Sequence, residues 1–474
     1  MNWQTIVQQN NLDVTSINLS KLERDRIDAE FYSLDYLENE KALNELSTAR
    51  LSDICQIKSG ATPRDRDDNL TDGVILLKTT DIRNKPLSDN LDYYHISEEI
   101  NQRMKSTELQ EGDVLINIVG ATLGVIGRIS VVPKSFPKAN ITQAMALIRT
   151  ANKTKFLSGY VFTFLLSQYG NLQAKRLARP TGQYNLNLQE VSTIKIVTAS
   201  LKIQNEVEKL ILKYLDTTST LERLYSQAEQ LLLADLNLTD YTPIDTNTST
   251  RDLVDCLADD RFDAEYWQPK YDEIEIKTSG IPQVPLSEIV TIKKGIEIGS
   301  EAYEEEGENF VRVADFSIFG IEAVEKKLSV ELFESLKDNY RPKKGEVLFT
   351  KDGTIGISYA LNEDIEAIVS GAFLRFKPND KINNNYLALV LNSMYCKAQI
   401  ERMSGGAIIA HLKPDSAMQI KIPMLARARQ DELANMVLEA FKMRKEAHDL
   451  LEKAKRAVEI SIEQDEAFAL AYLN

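Results

Sequence analysis

The sequence predicts a mixed α/β (α+β) protein in which two similar globular domains are separated by two long antiparallel helices, a pseudo-two-fold tandem duplication. Three observations predict this. Two segments carry a heptad seam, the chain repeats itself at a slowly drifting offset, and strand-like and helical runs alternate in both halves between Gly and Pro punctuation.

From Leu201 to Leu236, Val207, Leu210, Tyr214, Thr217, Leu221, Leu224, Ala228 and Leu231 recur at alternating steps of three and four. That spacing marks a long helix with one narrow apolar stripe, which needs a partner helix. A second such run lies near the C-terminus: Leu433, Met436, Ala440, Met443, Ala447, Leu450, Ala454 and Ala457, with small alanines that let two backbones approach. The two helices are expected to pair. At 1.5 Å rise per residue the first makes a rod of roughly 54 Å, better suited to holding two domains apart than to the core of one small domain.

The duplication appears on reading from the start. Asp25 to Tyr32 (DRIDAEFY) returns as Asp260 to Trp267 (DRFDAEYW), a shift of 235, and Leu51 to Gly60 returns at the same shift as Leu286 to Gly295. Leu77 to Ile82 answers to Val311 to Phe316, Gly112 to Leu115 to Gly345 to Leu348, and Gly120 to Gly124 to Gly353 to Gly356. By Ile194 to Ile196 and Ile420 to Ile422 the shift has fallen to 226. Loop insertions in a tandem duplication produce such drift.

Each unit is therefore a short acidic and aromatic segment, a globular domain and a long helix. The boundaries expected are an N-terminal segment (1–50), a first domain (51–200), a central spacer helix (201–240), a polar junction with a repeat of the N-terminal segment (241–285), a second domain (286–425) and a C-terminal spacer helix (426–474). Strands are expected at Val114 to Val119, Ile126 to Val132, Val347 to Thr350 and Ile355 to Tyr359, and helices at Phe156 to Leu177 and Asn385 to Met403.

Composition is that of an ordinary soluble chain, 43% hydrophobic and 27% charged. No stretch approaches 18 consecutive apolar residues and no basic region precedes an apolar run at the N-terminus, so a cytoplasmic protein that does not span a membrane is expected. Cys55, Cys256 and Cys396 are too far apart for a local zinc motif and read as buried thiols. The phosphate-loop, dinucleotide, nucleophile-elbow and zinc-protease motifs are absent. With only His95, His411 and His448 there is little material for imidazole catalysis, and Asp415 reads as a loop or cap residue. No catalytic residue and no metal ligand is assigned.

A net charge of −15 argues against indiscriminate nucleic-acid binding, but the charge is unevenly spread. Val114 to Gln189 contains no Asp or Glu and nine basic residues, among them Arg128, Lys134 and Lys138. It ends in Lys175, Arg176, Arg179, Gly182, Gln183 and Tyr184, which join a basic helix end to a polar loop with groups suited to phosphates and base edges. A solvated basic loop would have the same composition; the acid-free stretch before it favours a DNA-facing surface. The counterpart in the second half comprises Arg402, Gly406, His411 and Lys413, with Lys294, Arg312 and Lys351 as further candidates. The first domain carries 18 basic against 14 acidic residues and the second 17 against 21.

With these features the chain resembles the specificity (S) subunits of type I DNA restriction-modification systems, along nearly its whole length. The likeness rests on R-[ILF]-D-A-E-[YF] at Arg26 to Phe31 and Arg261 to Tyr266, the opening Leu51 to Gly60, the G-[DE]-[VI]-L element with its glycine turn, and a glycine loop before an I-x-I-P end. The second unit ends in Ile420-Lys421-Ile422-Pro423; the first departs from the pattern, with Val197-Thr198 in place of proline.

The resemblance implies two target-recognition domains, each reading half of a split asymmetric site in double-stranded DNA, with the helices fixing the gap. It implies a non-catalytic chain that binds no cofactor. Two adenine methyltransferase subunits would dock on the rod, at residues such as Leu210, Leu221, Leu224, Met443 and Leu450, and restriction subunits would translocate and cleave. S-adenosylmethionine, ATP and Mg would belong to those partners. Two other readings stay open: the recognition subunit of a restriction-modification arrangement whose partner fuses methylation and cleavage, and a protein-binding scaffold of the same shape without DNA affinity.

Overall fold

The computed structural model describes residues 15–473 apart from 24–25, 89–92, 135, 152–154, 181, 244–247, 323 and 405–410. The chain divides into two compact units, Met1–Ser219 with Lys445–Asn474, and Thr220–Arg444.

In unit 1, helix α1 (Leu34–Asn44) precedes strands β1 (Thr48–Arg50), β2 (Cys55–Ser59), β3 (Val74–Leu77), β4 (His95–Ile96), β5 (Val114–Asn117), β6 (Val119–Gly120), β7 (Ile129–Val131), β8 (Ala139–Ile141) and β9 (Met145–Thr150). Then come helices α2 (Ser158–Leu166) and α3 (Gln168–Leu177), strands β10 (Arg179–Pro180), β11 (Tyr184–Asn185) and β12 (Lys195–Val197), and the long helix α4 (Leu201–Asp235), which continues into unit 2. An antiparallel sheet β2-β9-β5-β7 forms the centre, with Ile57 opposite Ile148 and Val114 opposite Val131. A second sheet, β4-β3-β8, contains a parallel pair, β3 with β8. β5 is buried throughout, and Val114, Leu115 and Ile116 are apolar in succession rather than alternating, as in a strand covered on both faces.

Unit 2 repeats the wiring of these two sheets and adds a short pairing of Phe316–Ser317 with Gly320–Ile321. Its helices include α5 (Leu253–Ala258), α6 (Pro269–Thr278), α7 (Asn384–Asn392), α8 (Met394–Ser404) and α9 (Arg427–Glu463), and α10 (Glu466–Leu473) follows back in unit 1. Its central sheet joins, in spatial order, Val290–Lys294, Phe373–Pro378, Val347–Thr350 and Ser358–Ala360. Its second sheet joins Lys327–Leu328, Glu308–Val311 and Ala367–Val369, again with one parallel pair. Side-chain bonds repeat as well. The Tyr160 hydroxyl donates to the Val197 carbonyl (2.9 Å) and that of Tyr386 to Pro423 (2.8 Å), while Gln204 and Gln430 accept from the backbone N–H of Leu157 and Asn383.

Three sequence expectations change. The helices expected at Phe156 to Leu177 and Asn385 to Met403 are each broken by a serine, Ser167 and Ser393, whose hydroxyls donate to the carbonyls of Phe164 and Val390 (both 2.6 Å). The break lets Gly170 lie against the backbone of Leu165, where a Cβ would stand 2.5 Å from its Cα. Cys55 and Cys396 are buried, and burial pushes the Cys55 thiol up to about 12, but Cys256 is only half-buried on the short helix α5.

The long helices do pack, and most of the expected seam is buried, within a broader stripe. In unit 1, Val207, Ile211 and Tyr214 of α4 share a core with Ala447, Leu451, Ala454 and Val458 of α9; in unit 2, Leu221, Tyr225, Ala228 and Leu232 share one with Leu433, Val437 and Ala440. Ten of the sixteen expected seam positions are buried, Val207, Tyr214, Thr217, Leu221, Ala228, Leu433, Ala440, Ala447, Ala454 and Ala457; Leu210, Leu224, Leu231, Met436, Met443 and Leu450 are half-buried, while Ile211, Tyr225, Leu232, Val437 and Leu451, one position on, are buried as well. The reason is that each helix faces a globular core as well as its partner, so its apolar stripe is broader than a coiled-coil seam. Of the residues assigned to partner docking, Leu221 is buried, while Leu210, Leu224, Met443 and Leu450 flank the seam, half-buried. Ion pairs close the sides: Lys213 with Glu446 in unit 1 and Arg429 with Asp235 in unit 2, both at 2.6 Å.

Candidate nucleic-acid interface

In unit 1 the glycine turn and the basic loop, 60 residues apart in sequence, meet at one sheet edge. β6 leaves the central strand β5 and pairs with β11, which pairs with β10, so Gly120 stands opposite Tyr184 and Val119 opposite Asn185. Gly120 is required there because a Cβ would come within 2.8 Å of that of Val125. Gly182 occupies the left-handed region at φ +82° with open space around it, so its need is conformational and its surroundings are free for a ligand. Gln183 is exposed beside it and Tyr184 is half-buried. Arg128 lies on the same turn, its Nε donating to the Gly124 carbonyl (2.8 Å).

Several of the expected cations are already engaged. Arg179 pairs with Glu190 at 2.6 Å yet keeps much of its side chain in solvent. Lys138 pairs with Glu98 (2.5 Å) and belongs with the β4-β3-β8 sheet, where its carbonyl accepts from Ile75. Lys134 is exposed on the turn after β7, and Lys175 is half-buried on α3. Arg149, from the acid-free stretch, turns inward to Asp113 through two bonds of 2.7 and 2.6 Å.

Arg176 serves a device that the sequence alone did not reveal. The Arg26 guanidinium is buried and donates to the carbonyls of Arg176 (3.1 Å), Leu177 (3.0 Å) and Ala178 (3.3 Å), the open C-terminal end of α3. It also grips Asp28 through two bonds (3.0 and 2.9 Å) and stacks 4.1 Å from the Phe31 ring. Arg176 stacks on that same ring at 4.3 Å, donates to the Phe31 carbonyl and pairs with Glu40. The Arg-x-Asp-Ala-Glu-aromatic segment is thus a clamp on the helix end from which the loop 179–187 departs.

Unit 2 has the same sandwich. Arg261 grips Asp263 and stacks on Tyr266 at 4.4 Å, and Arg402 stacks on Tyr266 at the same distance. Arg402 therefore packs inward, near Trp267 and Asp272, as Arg176 does in unit 1. Gly406 lies outside the described residues. The exit of its loop is fixed by a bridge between Asp352 and His411, the register equivalent of Val119 opposite Asn185. Here the Asp352 carboxylate bonds both the His411 Nδ1 and the buried Lys351 ammonium. Burial raises its pKa, but the bonds from Lys351 and His411 outweigh that and hold the carboxyl below its ordinary value. Lys413 and Lys294 are exposed, and Arg312 caps a helical turn with Asp315. The carboxylate–imidazole pair was legible only by aligning the two halves.

Among the described residues no group of three or more His, Cys, Asp or Glu could hold a metal, and no helix is long and apolar enough to cross a membrane.

Two equivalent α/β units on a shared pair of long helices, each with a glycine turn beside a loop exit at the same sheet edge, define a duplicated recognition protein. The chain belongs to the family of the type I restriction modification DNA specificity domain, whose model matches residues 43–230 and 279–436, well over half of its length. It is 26% identical over 164 residues to the specificity subunit of the type I restriction enzyme EcoBI from Escherichia coli, covering 34% of this chain. That match spans 32% of the relative's length, about a third. Solved structures similar to it include a type I S subunit from M. genitalium (TM-score 0.36, 13% identity, 91% of this chain and 96% of that one). The HsdS subunit from Thermoanaerobacter tengcongensis is another (TM-score 0.26, 15% identity, 90% and 96%).

Proposed function

We propose that this chain reads double-stranded DNA in two places, with domain 51–200 taking one half of a split asymmetric site and domain 286–425 the other. Adenine methylation and DNA cleavage then belong to partners, two methyltransferase subunits and the restriction subunits, which hold S-adenosylmethionine, ATP and Mg in the cytoplasm. One observation carries this reading: the two units repeat the same wiring yet differ at the equivalent edge position, Val119 with Asn185 in one and Asp352 with His411 in the other. Retained wiring with altered edge chemistry is what two readers of different half-sites require.

In the first unit the reading groups are the Gly120 turn, Arg128, Arg179, Gln183 and Tyr184. In the second they are Lys351, Asp352, His411 and Lys413. The paired helices set the gap between half-sites. Co-expression with the neighbouring methyltransferase, followed by single-molecule mapping of methylated adenines, tests the reading. A split motif with a fixed gap is expected. A stable complex that methylates nothing, together with an absence of salt-dependent DNA binding, returns the chain to the scaffold reading.

A further inference from the structure

One backbone group is held from different places in the two units. Ile129 of β7 and Ser358 are equivalent, since each stands opposite the third residue of the neighbouring strand, Ile116 and Phe349. Both are buried and lie on an edge strand of the central sheet, just past the glycine turn. A buried N–H on such an edge needs a partner. In unit 1 it donates to Asn84 Oδ1 (3.0 Å), from the loop after β3 and so from within the same domain. In unit 2 it donates to Asn392 Oδ1 (2.8 Å) on α7. Asn392 Nδ2 donates in turn to the Ser358 carbonyl (2.8 Å) and to the Tyr225 hydroxyl of α4 (3.0 Å). One buried carboxamide thus completes both backbone groups of Ser358, as a neighbouring strand would, and is itself anchored on the long helix.

The counterparts of this trio in unit 1 are apolar. At the shift of 226, Asn392 answers to Leu166 and Tyr225 to Leu451 of α9, and these share one core with Ile129. The Tyr225 ring is fixed in place. It meets Phe319 edge-on at 5.3 Å, in the turn of the Phe316–Ser317 and Gly320–Ile321 pairing, and Phe319 meets Phe441 of α9 at 6.5 Å. From Ser358 the bonds run back through the glycine turn. The Ile357 N–H donates to Thr350 Oγ1 (3.0 Å), that hydroxyl donates to the Thr354 carbonyl (2.6 Å), and the Gly356 N–H donates to the Thr350 carbonyl (2.9 Å). Thr350 directly precedes Lys351 and Asp352.

We infer that Tyr225 and Asn392 are positioning residues for the second half-site, fixing the register of the turn 350–357 from the long helix, whereas the first turn takes its position from Asn84 inside its own domain. The inference rests on the function proposed above and assigns no DNA contact to these residues. Its consequence is an asymmetry. A change at Tyr225 alters what unit 2 reads, while a change at the equivalent Leu451 alters only the stability of unit 1.

Co-expression of the full chain with the neighbouring methyltransferase, followed by mapping of methylated adenines, reads both halves of the motif at once. Tyr225→Phe removes a single hydroxyl and should raise methylation of sites mismatched in the second half, relative to the matched site, by about 3–10-fold, leaving the first half and the gap unchanged. Asn392→Leu, which supplies the side chain of Leu166, should raise it by roughly 10–100-fold, and adding Tyr225→Phe should relax it no further, since Tyr225 acts through Asn392. Asn84→Ala should relax the first half alone. Leu451→Ala should lower the melting temperature with both halves read as before. A Tyr225→Phe chain that reads the second half unchanged, or that relaxes both halves alike, overturns the positioning and leaves the proposed function standing. An unaltered chain that directs no split methylation overturns that function instead, and hydrogen exchange then decides the positioning by itself. The Ser358 amide should exchange at least about 3-fold faster in Tyr225→Phe, and unchanged protection overturns the inference.

Discussion

The two units fasten their central sheets with the same ion pair at different depths. Arg149 and Asp113 bridge neighbouring strand ends in unit 1, with the arginine side chain 23% exposed; Arg375 and Glu346 do so in unit 2, with the arginine at 1%. Arg375 further donates to the carbonyls of Asn339 and Arg341, both at 2.9 Å, against one such bond from Arg149 to Glu108. The interior of the duplicated fold has thus kept its chemistry while its exposure changed. At the edges it is the chemistry itself that differs. A buried charge is tolerated only with its partner, so interior pairs can change only together, while an edge position facing solvent is free to vary.

Breaking the interior pair should give the largest effect, and an unequal one. Arg375→Met leaves the Glu346 carboxylate buried with a single backbone donor, Lys343, and should destabilise unit 2 by about 3–5 kcal/mol. Arg149→Met also leaves a buried carboxylate, Asp113, with one backbone donor, Gln110, but it removes an arginine that is 23% exposed and bonds one carbonyl rather than two, and should cost unit 1 less. Denaturant unfolding of the two variants checks the ratio; equal losses would mean that burial does not distinguish the pairs.

The clamp comes next. Arg26→Ala removes three donors from the end of α3 and one face of the Phe31 sandwich, a loss of about 2–3 kcal/mol locally. Hydrogen exchange should accelerate at residues 176–187, and affinity for the first half-site should fall. Arg261→Ala removes the grip on Asp263 and the stack on Tyr266 and should have the smaller effect.

Much of this architecture was legible in the sequence because duplication reports on topology directly: residues that recur at a fixed shift occupy equivalent places whatever those places are. The paired helices were legible through their spacing, but the breadth of the buried stripe was not, because spacing does not say that Ile211 and Leu232 also face a globular core. The cations were legible as charge and not as availability. Arg176 and Arg402 look like phosphate ligands in a basic loop, yet both stack on aromatic rings supplied from more than a hundred residues away in sequence. Nothing local to either arginine carries that information.

Replacement of the cations at the first reading edge separates those that reach solvent from the one packed inward. Lys175→Ala with Arg179→Ala should weaken DNA binding uniformly across sequences and lower the salt slope by about 1–2. Adding Arg176→Ala should lower thermal stability with little further change in slope, since its side chain is stacked on Phe31 and only 12% exposed, against 42% for Arg179. A slope that falls by a full further unit would place Arg176 against phosphate instead.

The smallest effect is expected at the edge that differs most. Asp352→Val with His411→Asn gives unit 2 the side chains that unit 1 carries at that bridge, and should alter one base preference in the second half of the methylated motif, by about 1–3 kcal/mol of discrimination, leaving the first half unchanged. Both variants take the carboxylate from Lys351; Asp352→Val alone should be worse than the pair, because it also leaves the His411 imidazole without its partner. The pH dependence has a definite sign. A carboxyl held below its ordinary value of 3.8 contributes stability that is present above that pH and disappears as pH falls through the lower folded value. In acid titrations the unaltered unit 2 should therefore lose stability in a range where the double variant does not. A double variant that loses it equally would show that the Asp352 cluster fixes base contacts without holding the loop exit in place.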